Sequence, residues 1–377
     1  MELQHTKKLA DVTEEARIFF RELKALIWTA IDLKTGNQAE GYRCSHLLDD
    51  RSVVVLFAHP NARMQTTLNT AIQKLGATAT TIVDLNWESK QCTEELGRFL
   101  SHLADLVCVQ GEFNSSVEKI ADDASVPVLS LGCCLHSTLQ VLTDLMTLQE
   151  HFGRLKGLRV GWVGPACPLL NTYLLLLPRF GVDMNFSSSP CAGLGSSPRC
   201  LDGAFKYCKH HNTELKEFYT VAEVIRGYTR DKSLPTSIQS NSSATGVSSD
   251  VSIRTTLYAL ASSTQLQGIL EQELDKLGIV HVIVTTTHNN RTLAITEKEV
   301  DHADPEWVLL HSLPRSGTEV CDSIFYSDRS LMLKSVANMV WMAQSIFTKL
   351  MTEYFQEIPM PDFDGEHLKR TMKKNIC

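Results

Sequence analysis

The sequence contains no CxxC pair and no Cys/His set at zinc-finger spacing, although it carries 11 cysteines. A structural zinc site needs ligand pairs at short spacing, so no metal is expected. An odd, irregularly spaced set of thiols reads as reduced cysteines of an intracellular protein. A basic excess is also missing: 36 Lys and Arg stand against 43 Asp and Glu, a formal net charge of −7. A general nucleic-acid binder would show the opposite balance, so no nucleic-acid partner is expected. No apolar run approaches the roughly 18 residues of a membrane span, and no membrane partner is expected. The N-terminal stretch is not Arg-rich, and it includes Glu2, Asp11, Glu14 and Glu15. That composition is unlike a mitochondrial presequence, so a cytoplasmic location is the default expectation. There is no G-x-S-x-G elbow, and His311 and Ser312 would point to opposite faces of a strand, which argues against a serine hydrolase.

The chain is 377 residues long, with 43% hydrophobic and 21% charged residues. That is enough for about two domains with real cores. Apolar residues at helical spacing, among them Leu23, Leu26, Ile27 and Ile31, predict a helix within the first forty residues. From Val53 the pattern alternates. Strands are predicted at 53–57, 80–85, 106–109 and 126–129, with helices at about 62–75, 93–103 and 115–123, then a long helix over 136–151. A second series opens with a strand at 158–163, a helix at 168–179 and a strand at 182–186. A loop is expected over 187–203, mostly helix over 204–229, helix at 264–277, and strands at 279–285 and 307–311. The last helix, about 331–354, is long enough to pack back on the first half. Such alternation predicts an α/β fold with two parallel-sheet domains linked by long helices. Residues 233–252 are polar and Ser-rich and are expected to form a low-complexity insertion. Ligand sites of such folds lie beyond the strand C-termini.

Three stretches are specific. HSLPRSGTEVCDSIFYSDRSLMLKSVANMVW begins at His311, LTDLMTLQEHFGRLKGL spans Leu142–Leu158, and LIWTAIDLK spans Leu26–Lys34. They are collinear and closely resemble ornithine carbamoyltransferases of the aspartate/ornithine carbamoyltransferase family. The resemblance implies the two-domain carbamoyltransferase fold. Residues 1–140 would form the carbamoyl-phosphate-binding domain, with helix 331–354 packed back on it, and residues 141–330 the ornithine-binding domain. It also implies a homotrimer, no cofactor, and transfer of a carbamoyl group from carbamoyl phosphate to ornithine, a reaction of the urea cycle and arginine metabolism; a mitochondrial location is the alternative that the resemblance raises. In that family the phosphate dianion is held at a helix N-terminus by amides and guanidiniums, and the tetrahedral oxyanion by Arg, His and Thr donors.

Carried over position by position, much of that machinery is replaced. The phosphate loop aligns with Asn61, Ala62, Arg63, Met64 and Gln65, of which only Arg63 keeps the family residue. The Lys before the loop is His59. Gln110 and Met339 stand where the family has Arg, and Thr286 where it has the Asp of the ornithine site. Ser137 replaces the His of the His-Pro-x-Gln motif, while Gln140 keeps the Gln; His136 lies one residue early, about 100° away on a helix. Ser312 replaces the thiol of His-Cys-Leu-Pro. The candidate site is therefore Asn61, Ala62, Arg63, Met64, Gln140 and Leu313 for binding, with His311, Ser312 and Arg315 for chemistry. A hydrogen bond to a charged group contributes about 1.5–3 kcal/mol, so losing three Arg contacts removes roughly 4–9 kcal/mol. The expected function is a non-catalytic binding or regulatory homologue that takes carbamoyl phosphate or another small anion weakly. The alternative is an active carbamoyltransferase on ornithine or another amine. Elsewhere, Cys208, His210, His211 and Glu214 read as a solvated helix face, and Cys133 and Cys134 as two buried thiols.

Overall fold

The computed structural model describes residues 14–40, 45–89, 95–187, 198–227 and 278–366. The Ser-rich segment 233–252 and the helix expected at 264–277 lie outside the described residues.

The chain forms two all-parallel sheets flanked by helices, an α/β architecture. In the first, β1 (Ser52–Phe57), β2 (Thr78–Val83), β3 (Leu106–Gln110) and β4 (Val128–Gly132) are ordered β2-β1-β3-β4. Strands β1 and β3 are continuous apolar runs, SVVVLF and LVCVQ, buried along nearly their whole length. That is the signature of central strands covered on both faces. Helix α1 (Glu14–Glu40) precedes this sheet, while α2 (Ala62–Lys74), α3 (Leu96–Ser101) and α4 (Asn114–Asp123) make its crossovers. In the second sheet, β5 (Arg159–Val163), β6 (Asp183–Ser187), β7 (Leu215–Phe218), β8 (Val282–Thr285) and β9 (Val308–His311) are ordered β7-β6-β5-β8-β9. Helix α5 (Thr138–Phe152) links β4 to β5, and α6 (Pro168–Leu176) lies in the crossover from β5 to β6.

Two readings of the sequence are corrected. Residues 198–203, taken as loop, open helix α7 (Pro198–His211), and the region after it, taken as mostly helical, contains the strand β7. LKEF is short and half charged, as befits a sheet edge, where a strand needs only one partner. The short helices α8 (Val221–Arg226), α9 (Glu297–Val300) and α10 (Asp322–Phe325) precede the long final helix α11 (Met332–Met351), which packs on α1, α2 and α5. Apolar packing runs on across residue 140. That position lies inside α5, whose Leu142, Leu145 and Leu148 share one cluster with β1, β5 and α11.

Buried polar contacts pin these helices together. Lys34 Nζ on α1 donates to both carboxylate oxygens of Glu150 on α5, at 2.7 and 2.9 Å, and to Asn338 Oδ1 on α11 at 2.8 Å. Asn338 Nδ2 in turn donates to Thr147 Oγ1 and Glu150 Oε2, both at 3.0 Å. On the second sheet the buried Arg159 bridges Asp183 at 2.9 Å and Glu214 at 2.8 Å.

At both sheet centres the strand order reverses direction, between β1 and β3 and between β5 and β8. Crevices open beyond the C-termini at such points. Register places Phe57 beside Gln110 and Thr285 beside His311 at these ends.

The Lys34 cluster gives a direct test. Replacing Lys34→Met leaves Glu150 short of its main partner and is expected to cost roughly 2–4 kcal/mol in urea unfolding. Adding Glu150→Leu is expected to recover part of that loss. A double variant as unstable as the sum of both singles would contradict the pairing.

Candidate functional site

At the end of β1 the chain turns into α2, with Asn61 at its N-cap. Asn61 Oδ1 accepts the Met64 N–H at 3.1 Å, so both that amide and the Asn61 side chain are already engaged. Met64 is 7% exposed and joins the main apolar core, and Ala62 is exposed without a polar group. Of the loop residues expected to bind, Arg63 is the one left with a charge. No described residue hydrogen-bonds its guanidinium. Burial lowers its pKa, partly offset by the charge of Asp144. Gln110, at the end of β3, has a buried amide oxygen without a donor among the described residues. Met339 is 1% exposed and packs in the core.

Next to this loop lies a buried carboxylate. Asp144 on α5 accepts from Gln140 Nε2 at 3.0 Å and Ser335 Oγ at 2.6 Å on one oxygen, and from the Tyr173 hydroxyl on the other. Burial pushes its pKa up to about 6, against the donors Ser335, Tyr173 and Gln140 and the Arg63 charge, which favour the ionised form. The same environment lifts the Tyr173 hydroxyl pKa well above its ordinary value.

The second crevice is closed by a loop running from His311 to Asp322. Leu313 N–H donates to His311 Nδ1 at 2.9 Å. The ring proton therefore sits on Nε2, which reaches Glu319 Oε1 at 3.1 Å; both side chains are fully buried. Burial lowers the His311 pKa, with Glu319 opposing. Glu319 also accepts from the amides of Ser316 and Thr318, at 2.7 and 2.9 Å, and from the Ser316 hydroxyl. Burial alone would raise its pKa; the Ser316 hydroxyl, the local amides and His311 outweigh that and hold it at about 2. Arg315 donates to the Val320 carbonyl at 2.7 Å and to Asp322, with its guanidinium carbon 4.6 Å from the Phe325 ring centre. Thr286 and Ser312, at the ends of β8 and β9, meet hydroxyl to hydroxyl at 2.7 Å. Two neutral groups thus satisfy each other at these strand ends.

The expected site residues thus fall into two groups. Arg63 and Gln140 both adjoin Asp144, while His311, Ser312, Leu313 and Arg315 form the second loop, with the first, third and fourth tied into its own hydrogen bonds. His136 is half-buried, with a pKa lowered by burial. The reading of two buried thiols is corrected: Cys133 is buried beside Asn114, but Cys134 is exposed. Glu214 is taken by Arg159 and Lys216, and among the described residues no cluster of three His, Cys, Asp or Glu side chains could hold a metal. Residue-by-residue reading missed Asp144 and Glu319. The signal for Asp144 was a carboxylate among Leu142, Leu145 and Met146 on a helix buried almost all round; nothing local marked Glu319.

Comparison with known proteins follows the same lines. Residues 10–150 match the family described as aspartate/ornithine carbamoyltransferase, carbamoyl-P binding domain. The mitochondrial ornithine carbamoyltransferase of Aquarana catesbeiana is 25% identical over 91% of this chain and 87% of its own length. The mitochondrial ornithine transcarbamylase of Gallus gallus is 24% identical over 91% and 86%. In fold, ornithine carbamoyltransferase from Pyrococcus furiosus superposes with a TM-score of 0.70 at 17% identity, over 88% of this chain and 94% of that one. Aspartate transcarbamoylase from Trypanosoma cruzi, solved with phosphate, gives 0.66 at 15% identity, over 88% and 92%. Residues 10–150, the three collinear motifs and the two parallel sheets thus make the chain similar in sequence and in fold to aspartate/ornithine carbamoyltransferases.

Proposed function

We propose that this protein is a non-catalytic carbamoyltransferase homologue that binds a small phosphate-bearing anion weakly and serves as a binding or regulatory subunit. The observation that carries the reading is the charge of the first crevice: Arg63 is its one guanidinium at the α2 N-terminus, and the charge it feels is that of the buried Asp144. Gln65, Gln110 and Met339 supply no cation, and a dianion needs several. The helix N-terminus persists, so phosphate keeps some affinity. In the second crevice the neutral Thr286–Ser312 pair offers no anion to the amino group of ornithine. His311 has both ring nitrogens engaged, and Arg315 holds its own loop. This reading includes the division into a carbamoyl-phosphate-type domain over 1–140 and an amino-acid-type domain over 141–330. It also includes assembly as a homotrimer, after the family resemblance, and a cytoplasmic location. No described helix is long and apolar enough to cross a membrane.

Two measurements test it. Isothermal titration with carbamoyl phosphate is expected to give a Kd no tighter than about 1 mM, and an ornithine assay is expected to form no citrulline. Micromolar binding or steady citrulline formation would overturn the reading and direct attention to His59, His136 and Arg315 as replacement groups. Conversely, returning cations by Gln65→Arg and Gln110→Arg is expected to tighten phosphate binding by roughly 10–100-fold per arginine. An unchanged affinity in the folded double variant would mean that the loss of charge is not what weakens the site.

A further inference from the structure

Two loops meet beyond the second sheet, residues 286–290 after β8 and 312–319 after β9. Hydroxyl groups fasten one to the other. Thr286 and Ser312 meet at 2.7 Å, and Thr287 donates to the Pro314 carbonyl. Thr318 and Ser316 reach the His288 carbonyl at 2.8 and 2.9 Å. This clasp is anchored on Glu319, whose two oxygens offer about four acceptor positions. All are taken: Oε1 by the His311 ring and the Ser316 amide, Oε2 by the Thr318 amide and the Ser316 hydroxyl. Within reach of the Glu319 charge lies the His288 ring. His288 is 8% exposed, and neither of its ring nitrogens has a hydrogen-bond partner among the described residues. Buried polar atoms are nearly always paired. A phenyl ring would fill the same space without that cost; what the imidazole adds is the capacity to take a proton.

We propose that His288 is the trigger of an acid-released clasp: its protonated ring takes an oxygen of Glu319, displaces the Ser316 hydroxyl or the Thr318 amide, and lets the 286–290 and 312–319 loops part. Ser316 and Thr318 are the residues that bind loop to loop, so their displacement from Glu319 loosens the hold on the His288 carbonyl. The proton comes from solvent, and no other group changes charge. The ring faces the Glu319 carboxylate, the His311 imidazole and the Asn290 backbone, with Arg315 beyond His311. Arg315 is held by Val320 and Asp322 and stays charged. Glu319, with its pKa at about 2, stays ionised. His311 has no free ring nitrogen to protonate, since Nδ1 accepts from Leu313 and Nε2 donates to Glu319. Burial lowers the His288 pKa from its ordinary 6.5, against the pull of Glu319. The unfolded chain therefore binds this proton at a higher pH than the folded one. Stability from the neutral ring is complete above pH 6.5 and is lost as the pH falls from there through the folded value. The clasp lies at the second crevice and does not depend on the anion site at Arg63.

Hydrogen exchange read by mass spectrometry on the full-length protein tests the clasp. Peptides covering 286–290 and 311–322 report on the two loops, and a peptide covering β1 reports on the rest of the fold. Wild type and His288→Phe are compared at the same pH, so the intrinsic pH dependence of exchange cancels. At pH 7.5 the loop peptides of the two proteins are expected to agree within about twofold. At pH 5 those of the wild type are expected to exchange about tenfold faster than those of the variant, because one proton shifts an equilibrium by up to about tenfold per pH unit. The β1 peptide is expected to stay the same in both. Equal loop rates at pH 5 overturn the proposal, whether both clasps hold or both open. A wild-type rise that includes β1 overturns it as well, since that is unfolding of the whole chain. A variant whose loops already open at pH 7.5 shows that the ring holds the clasp and does not release it, which also overturns the proposal. If His288→Phe fails to fold, His288→Gln, which keeps a polar side chain and cannot titrate, takes its place with the same expectations.

Discussion

The ammonium group of Lys34, caught between Glu150 and Asn338, is the contact on which the arrangement of the two sheets depends. It ties α1, α5 and α11 into one unit, and α11 is the element that returns from the second sheet to pack on α2 of the first. A charge that is four-fifths buried cannot be left unpaired, so the three helices have one way to fit. About 9 Å along α5 from Glu150, Asp144 repeats the device with Ser335 of α11 and Tyr173 of α6. The apolar cluster that spans both sheets supplies the driving force; these polar contacts supply the register in which it packs.

The constraint also explains which residues persist. Lys34 belongs to the stretch LIWTAIDLK, Asp144, Thr147 and Glu150 to LTDLMTLQEH, and Ser335 and Asn338 to the C-terminal stretch. The motifs that make the family recognisable are thus largely the motifs that hold the helices together. Met339, one residue beyond Asn338, packs in the core without disturbing the Asn338 hydrogen bonds. Positions that hold the fold and positions expected to bind thus stand side by side on the same helices, and the two sets are separate.

That separation sets what could be read from the sequence. Central strands such as SVVVLF were legible because continuous burial imposes a continuous apolar run. The edge strand LKEF was not, because an edge needs no such run. The family resemblance singles out Arg63 and Gln140, but nothing in it shows that both adjoin Asp144. Contacts among α2, α5, α6 and α11 are tertiary, and no local pattern encodes them. The motif names His311 for chemistry; that Glu319, eight residues further on, holds its ring is again visible only in the structure.

The shape of the His311 loop is set by groups other than Ser312. Its geometry is fixed by Glu319, which gathers the Ser316 hydroxyl and amide, the Thr318 amide and the His311 ring proton around one carboxylate. Arg315 completes it from outside through Val320 and the Phe325 ring. None of these partners is the residue at 312. The Ser312 hydroxyl meets Thr286 on the adjacent strand end, so these two half-buried neutral groups satisfy each other and add no charge to the loop.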